Sequence, residues 1–171
     1  MKRLPAHFTA LAALALWPAA AGAQTADSGD AGRSTSDLSY ESFVDSDKRL
    51  KCLYGYAASK TGDHSAAVRI FEDCIRRWND VYSMIWLAEL YETGSGVPKD
   101  LGRATDLMRR GAETNDEAGY STLARYHYGV ALCEGRGVAK DPEAGLRWLR
   151  LAAGEGSKDA IDYLRKAGAA Q

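Results

Sequence analysis

The seven residues Gly94-Ser95-Gly96-Val97-Pro98-Lys99-Asp100 return forty-one positions later as Gly135-Arg136-Gly137-Val138-Ala139-Lys140-Asp141, with five of the seven identical. The correspondence runs beyond the loop, since Arg109 matches Arg150 and Ala112 matches Ala153. An internal period of this size is the signature of supersecondary units stacked in a row, each burying its apolar face on the next. Between the loops the apolar residues follow helical spacing, and no run of β-branched residues alternates as a strand would. The expected fold is therefore all-α, an α-solenoid. Arrays of this kind bind other proteins far more often than they do chemistry.

Turn signals divide the chain into about three antiparallel helix hairpins, over 48–78, 81–114 and 118–154, closed by a capping helix over 158–166. In the first turn, Thr61-Gly62-Asp63, Gly62 suits the left-handed conformation that ends a helix and Asp63 suits the cap of the next. Gly55 and Ala67 allow the two helices to approach closely, with Phe71 filling the space beyond. In the second and third hairpins Gly94 with Gly96, and Gly135 with Gly137, end the first helix and turn the chain. Val97 and Val138 plug the bends, Asp100 and Asp141 sit as N-caps, and Pro142 takes the first helical position, where its missing N–H costs nothing.

The N-terminus reads as an address. Lys2 and Arg3 precede an apolar run over 8–17, and Ala21-Gly22-Ala23 is a small-x-small cleavage site, so 1–23 is expected to be a signal peptide removed after Ala23. An uncleaved anchor is the rival reading, but the run is shorter than the roughly 20 residues a spanning helix needs. With no cysteine near the site to carry a lipid, the expected product is a periplasmic or secreted bacterial protein beginning at Gln24, without stable membrane insertion. Residues 24–47, rich in Ser, Asp, Gly and Thr, are expected to form a disordered leader; Tyr40, Phe43 and Val44 are the exception that could dock on the first helix. The whole chain carries a net charge of −1, and losing Lys2 and Arg3 makes it slightly more acidic. A nucleic acid or an anionic membrane partner would call for a basic stripe, which is absent.

The run Leu87-Ala88-x-Leu90-Tyr91-x-x-Gly94-x-Gly96-Val97-Pro98-Lys99-Asp100 resembles a Sel1-like repeat, and so does 124–141, with Trp148 and Ala152-Ala153 continuing the pattern. The first hairpin is closer to the parent tetratricopeptide repeat, at Gly55, Gly62-Asp63, Ala67 and Phe71. The resemblance covers roughly 50–167. Tyr128 stands where the family usually has Leu and Leu132 where it has Tyr, a size swap that implies local repacking. The resemblance implies a right-handed superhelix of helix pairs used as an adaptor in protein complexes. Within that family three functions compete: a periplasmic scaffold or regulator, an immunity protein that neutralises a toxic effector, and an enzyme like the cysteine-rich relatives associated with β-lactam binding and hydrolysis.

Motifs for chemistry are missing. The Gly-x-Gly loops lack the Gly-Lys-Ser/Thr of a phosphate loop, because Lys99 and Lys140 are each followed by Asp. Lys60-Thr61-Gly62 spells a β-lactamase triplet, yet no serine has lysine three positions on to act as the activated nucleophile. His64 and His127 are far apart, with His64 expected in solvent, and no Cys-x-x-Cys pair exists, so neither a metal nor a cofactor is expected. The sequence is read as that of a non-enzyme.

Two further expectations come from hairpin geometry. Cys52 and Cys74 lie eleven residues either side of Asp63, about three turns along each helix, which sets them opposite one another. In an oxidising compartment they form a disulfide; the alternative is two buried thiols. Cys133 is left over, as a free thiol or an intermolecular link. Aligning the hairpins places Leu53, Trp86 and His127 at one outward position of the first helices, and Tyr56, Glu89 and Val130 at another three residues on, with Tyr82 one turn before Trp86. The concave surface is thus expected to bind another protein through Trp86, Glu89 and His127, with Tyr56 and Tyr82 beside them. Leu87, Ala88, Leu90 and Tyr91 should point inward. The competing reading has Trp86 packed against the leader or a neighbouring helix.

Overall fold

The computed structural model describes residues 39–168; the expected signal peptide and most of the expected leader lie outside them. Among the described residues there are eight helices and no strand. A short helix α1 (Glu41–Val44) is followed by three hairpins: α2 (Lys51–Thr61) with α3 (His64–Trp78), α4 (Val81–Thr93) with α5 (Leu101–Glu113), and α6 (Tyr120–Glu134) with α7 (Pro142–Gly154). Helix α8 (Lys158–Lys166) ends the stack. From α2 on, each helix packs on the next, and the first helices of adjacent hairpins also touch, α2 with α4 and α4 with α6. The second helices have no comparable contact with one another, so the stack closes along α2, α4 and α6.

The helix ends follow the acidic caps. Asp63, Asp100 and Asp141 accept from the backbone N–H three residues on, at 3.2, 2.9 and 2.9 Å, as expected. Asp80 and Asp116 do the same work for α4 and α6 and were not anticipated. Asp80 accepts from Ser83 N–H at 3.0 Å, and Asp116 from the N–H groups of Tyr120 and Ser121 at 3.1 and 2.6 Å.

The two Gly-x-Gly loops are wired alike. Leu90 O accepts from the N–H of both Gly94 and Ser95, and Tyr91 O from Asp100 N–H; forty-one residues later Ala131 O serves Gly135 and Arg136, and Leu132 O serves Asp141. The second glycine of each loop does more than turn the chain. At Gly96 (φ +74°) an added Cβ would lie 2.5 Å from His64 Cβ, and at Gly137 (φ +69°) it would lie 2.0 Å from Leu101 O. His64 and Leu101 are the first residues of α3 and α5, so each loop rests on the start of the preceding hairpin's second helix. Thr105 Oγ1, donating to Arg136 O at 2.7 Å, adds a polar tie at the second of these seats. His64 is accordingly half-buried under the Gly96 turn rather than free in solvent, and its Nδ1 has no hydrogen-bond partner among the described residues.

The core runs through the stack from Ala58, Ala67 and Phe71, by Met84, Leu87 and Ala88, to Leu107, Met108 and Ala124. Leu87, Ala88, Leu90 and Tyr91 are all buried, as their pattern requires. Phe71 packs straight onto Gly55, where a Cβ would meet its ring at 2.6 Å. Tyr128 meets Trp148 edge-on at 5.7 Å while Leu132 is buried, which is how the size swap in α6 is absorbed. A second cluster, Val130, Leu149, Ala152, Ala160 and Leu164, seals the C-terminal end under α8. Val130 is therefore interior, not outward: it matches Tyr56 and Glu89 in sequence, but only its hairpin is followed by a cap.

The leader boundary also moves. Residues 39–47 are ordered onto the first hairpin rather than belonging to a disordered leader. Phe43 stacks on Tyr54 with centroids 4.0 Å apart, and Phe43 and Val44 pack against Cys52, Ile70 and Cys74. The fully buried Lys51 donates to Val44 O at 2.7 Å and to the Asp73 carboxylate, and lies 5.7 Å from the Trp78 ring centroid. Burial, with Arg77 nearby, holds its ammonium below the usual lysine pKa. A buried ammonium needs acceptors to offset its lost hydration, and the backbone of α1 supplies one.

Candidate functional site

Cys52 and Cys74 are bonded, with Cα atoms 6.0 Å apart, joining the two helices of the first hairpin. Cys133 is free and half-buried between α6 and α7; a Cβ at Gly145 would lie 2.5 Å from its sulfur.

Four of the five residues expected to line a binding face lie in one patch. Tyr56 on α2 meets Trp86 on α4 at 4.5 Å between ring centroids, with planes inclined by 52°. Trp86 meets Tyr82 edge-on at 6.0 Å, and Tyr82 meets Tyr120 at the start of α6 at 5.1 Å. A continuous row of four rings thus crosses all three hairpins on the side where the first helices converge. Tyr56 is 37 % exposed and the other three are half-buried. Burial, then the Tyr120 and Tyr56 hydroxyls, push the Tyr82 phenol up to about 12. Glu89 stands one turn beyond Trp86 and pairs at 3.3 Å with Lys60, whose ammonium lies 4.7 Å from the Trp86 centroid and 5.3 Å from that of Tyr56.

His127 is the fifth, and its ring contact lies elsewhere. It packs against Tyr126 at 5.1 Å; burial holds its imidazole below the usual histidine pKa, Glu92 favouring the charged form and Arg136 opposing it. Trp86 is packed on neighbouring helices, as the competing reading held, and is also part of the open row. Lys60 and Tyr120 were missed from sequence. Lys60 was legible as Tyr56 plus four on the same helical face; Tyr120 was not, because the packing of α6 beside α4 brings it to Tyr82.

Away from this row, a cleft of about 560 Å³ lies between α3 and α5 and is floored by Ile75, Leu87, Tyr91 and Leu107. Arg76, Arg103 and Arg110 rim it, but Glu72 and Asp106 line it too, and Asp73 and Asp100 pair with Arg76 and Arg103. Arg76 and Arg103 are thus answered by acids, and the cleft presents charges of both signs.

No group of three or more His, Cys, Asp or Glu side chains placed to hold a metal occurs among the described residues. Nor is any described helix long and apolar enough to cross a membrane. Residues 81–116 and 122–157 each match the Sel1 repeat. Among solved structures, a Sel1 repeat protein from Oxalobacter formigenes is 26 % identical over 68 % of this chain, with a TM-score of 0.58. The chain spans 46 % of that protein's length. Cysteine rich protein B of Helicobacter pylori is 20 % identical over 68 % of this chain and 94 % of its own, with a TM-score of 0.48. The chain carries two Sel1 repeats, over residues 81–116 and 122–157. The first hairpin, over 51–78, lies outside both matched segments.

Proposed function

We propose that this is an exported bacterial binding protein whose concave face, centred on Trp86, captures another protein. The observation that carries the reading is the unbroken row Tyr56, Trp86, Tyr82 and Tyr120, partly exposed across three hairpins. Sel1 repeats generally mediate protein–protein interaction, and half-exposed aromatic rings with polar tips are the side chains that dominate interface energetics. The Cys52–Cys74 bond supports export, since such bonds persist in oxidising compartments. Cleavage after Ala23 would deliver the protein there, and an intact mass that retains Met1 in periplasmic material would overturn that part.

The face is tested by capture from periplasmic extract. Trp86→Ala is expected to weaken capture by about 1–2 kcal/mol, an ordinary cost for an interface anchor, while the fold persists. A strongly lowered melting temperature with capture intact would make Trp86 a packing residue and remove the face.

A further inference from the structure

We propose that the patch between Tyr56, Trp86 and Glu89 is an arginine-binding site, covered in the free protein by the chain's own Lys60. This deepens the reading above and rests on the concave face being the partner surface.

The chain itself shows what the patch attracts. The Lys60 ammonium lies over two inclined rings, 5.3 Å from the Tyr56 centroid and 4.7 Å from that of Trp86, with a Glu89 oxygen at 3.3 Å. Two negative ring faces and a carboxylate converge on one point, and that arrangement recognises cations. Lys60 satisfies it poorly. The Lys60 and Glu89 side chains are 46 % and 45 % exposed, so water screens the pair. A single hydrogen bond, near the long end of the usual range, joins the ammonium to the protein among the described residues. An ammonium is also strongly hydrated, and its flexible stem loses rotamer freedom when held in place.

A guanidinium from a partner would use the same groups more fully. Its plane stacks on an indole, its fork reaches both oxygens of one carboxylate, and it gives up less hydration on leaving water. A partner lysine gains nothing over Lys60, because the exchange is like for like. The site therefore selects arginine over lysine, and Lys60 acts as an internal competitor that swings into solvent when arginine enters.

The probe is N-acetyl-L-arginine methylamide, titrated into the full chain and followed by the Trp86 indole N–H resonance, which is assigned by its loss in Trp86→Phe. The lysine and norleucine counterparts are the controls. In the unsubstituted protein the arginine probe is expected to bind at least about threefold more tightly than the lysine probe, the gain of a forked over a single contact at an exposed carboxylate. Lys60→Met should tighten arginine binding by about three- to tenfold by removing the competitor, and Glu89→Gln should weaken it by about threefold. Equal binding of the arginine and lysine probes, or no gain in Lys60→Met, overturns the proposal. The two readings fail separately. Capture that is lost in Trp86→Ala yet unchanged in Lys60→Met and Glu89→Gln leaves the concave face standing and removes the arginine site.

Discussion

At the bend of the first hairpin a Cβ on Gly62 would meet nothing within 4 Å; at the bend of the third, a Cβ on Gly137 would lie 2.0 Å from the backbone oxygen of Leu101. Both residues are left-handed, at φ +89° and +69°, but only one is also a seat. The loops of the second and third hairpins each rest on the hairpin before. Among the described residues the first hairpin has no such predecessor. In its place it carries the Cys52–Cys74 bond, the buried Lys51–Asp73 pair and α1 laid across them. Antiparallel helices can thus be held in register by a neighbouring hairpin, as in the second and third, or by an internal staple, as in the first.

The sharpest way to break this comparison is to put a methyl group at each bend. Gly137→Ala is expected to cost at least about 4 kcal/mol, since backbone must move to admit it and the left-handed conformation is strained as well. Gly62→Ala should cost only about 1–2 kcal/mol, the strain alone. Urea melts of the two variants decide it, and equal losses would mean that the contact of Gly137 with Leu101 contributes nothing.

Removing the staple comes next. Cys52→Ser with Cys74→Ser should cost about 3 kcal/mol, by restoring freedom to the unfolded chain over a loop of this length. Thiol counting under denaturing conditions should find one free cysteine, Cys133, before the substitution. Hydrogen exchange in the double variant should rise first in α1 to α3 and least in α6 to α8. A uniform rise would show that the staple serves the whole stack rather than its end.

The smallest effect separates the two regions by pH. Burial holds the half-buried His127 below the ordinary histidine value of 6.5, so the unfolded chain takes up a proton before the folded one does. The stability that neutral His127 contributes is complete above that value and is lost as pH falls below it. His127→Gln should flatten the slope of unfolding free energy just below pH 6.5. Asp116 and Glu155, held below the usual carboxylate range mainly against burial by hydrogen bonds from Ser121 and from Arg125, act only at lower pH. An unchanged slope in His127→Gln would assign the dependence elsewhere.

Much of this architecture was legible. The Gly-x-Gly-Val-x-Lys-Asp loops, the caps at Asp63, Asp100 and Asp141, and the inward run at Leu87, Ala88, Leu90 and Tyr91 each obey a local rule, so sequence placed them. Arg125 shows where local rules end. It is buried, and its guanidinium bonds Ala112 O, Thr114 O, Asn115 and Glu155, gathering the ends of α5 and α7 onto α6. Nothing within a few residues of Arg125 announces those partners. Val130 and His64 were misplaced for the same reason, since α8 covers one and the next hairpin's loop covers the other.

Helix boundaries, repeat period and the pairing of Cys52 with Cys74 were set by spacing along the chain, because turns, caps and helical periodicity act over a few residues. The docking of residues 39–47, the seats under Gly96 and Gly137, and the row of rings from Tyr56 to Tyr120 were decided only in three dimensions. Those contacts join residues of different helices, and their geometry depends on how closely one hairpin is allowed to approach the next.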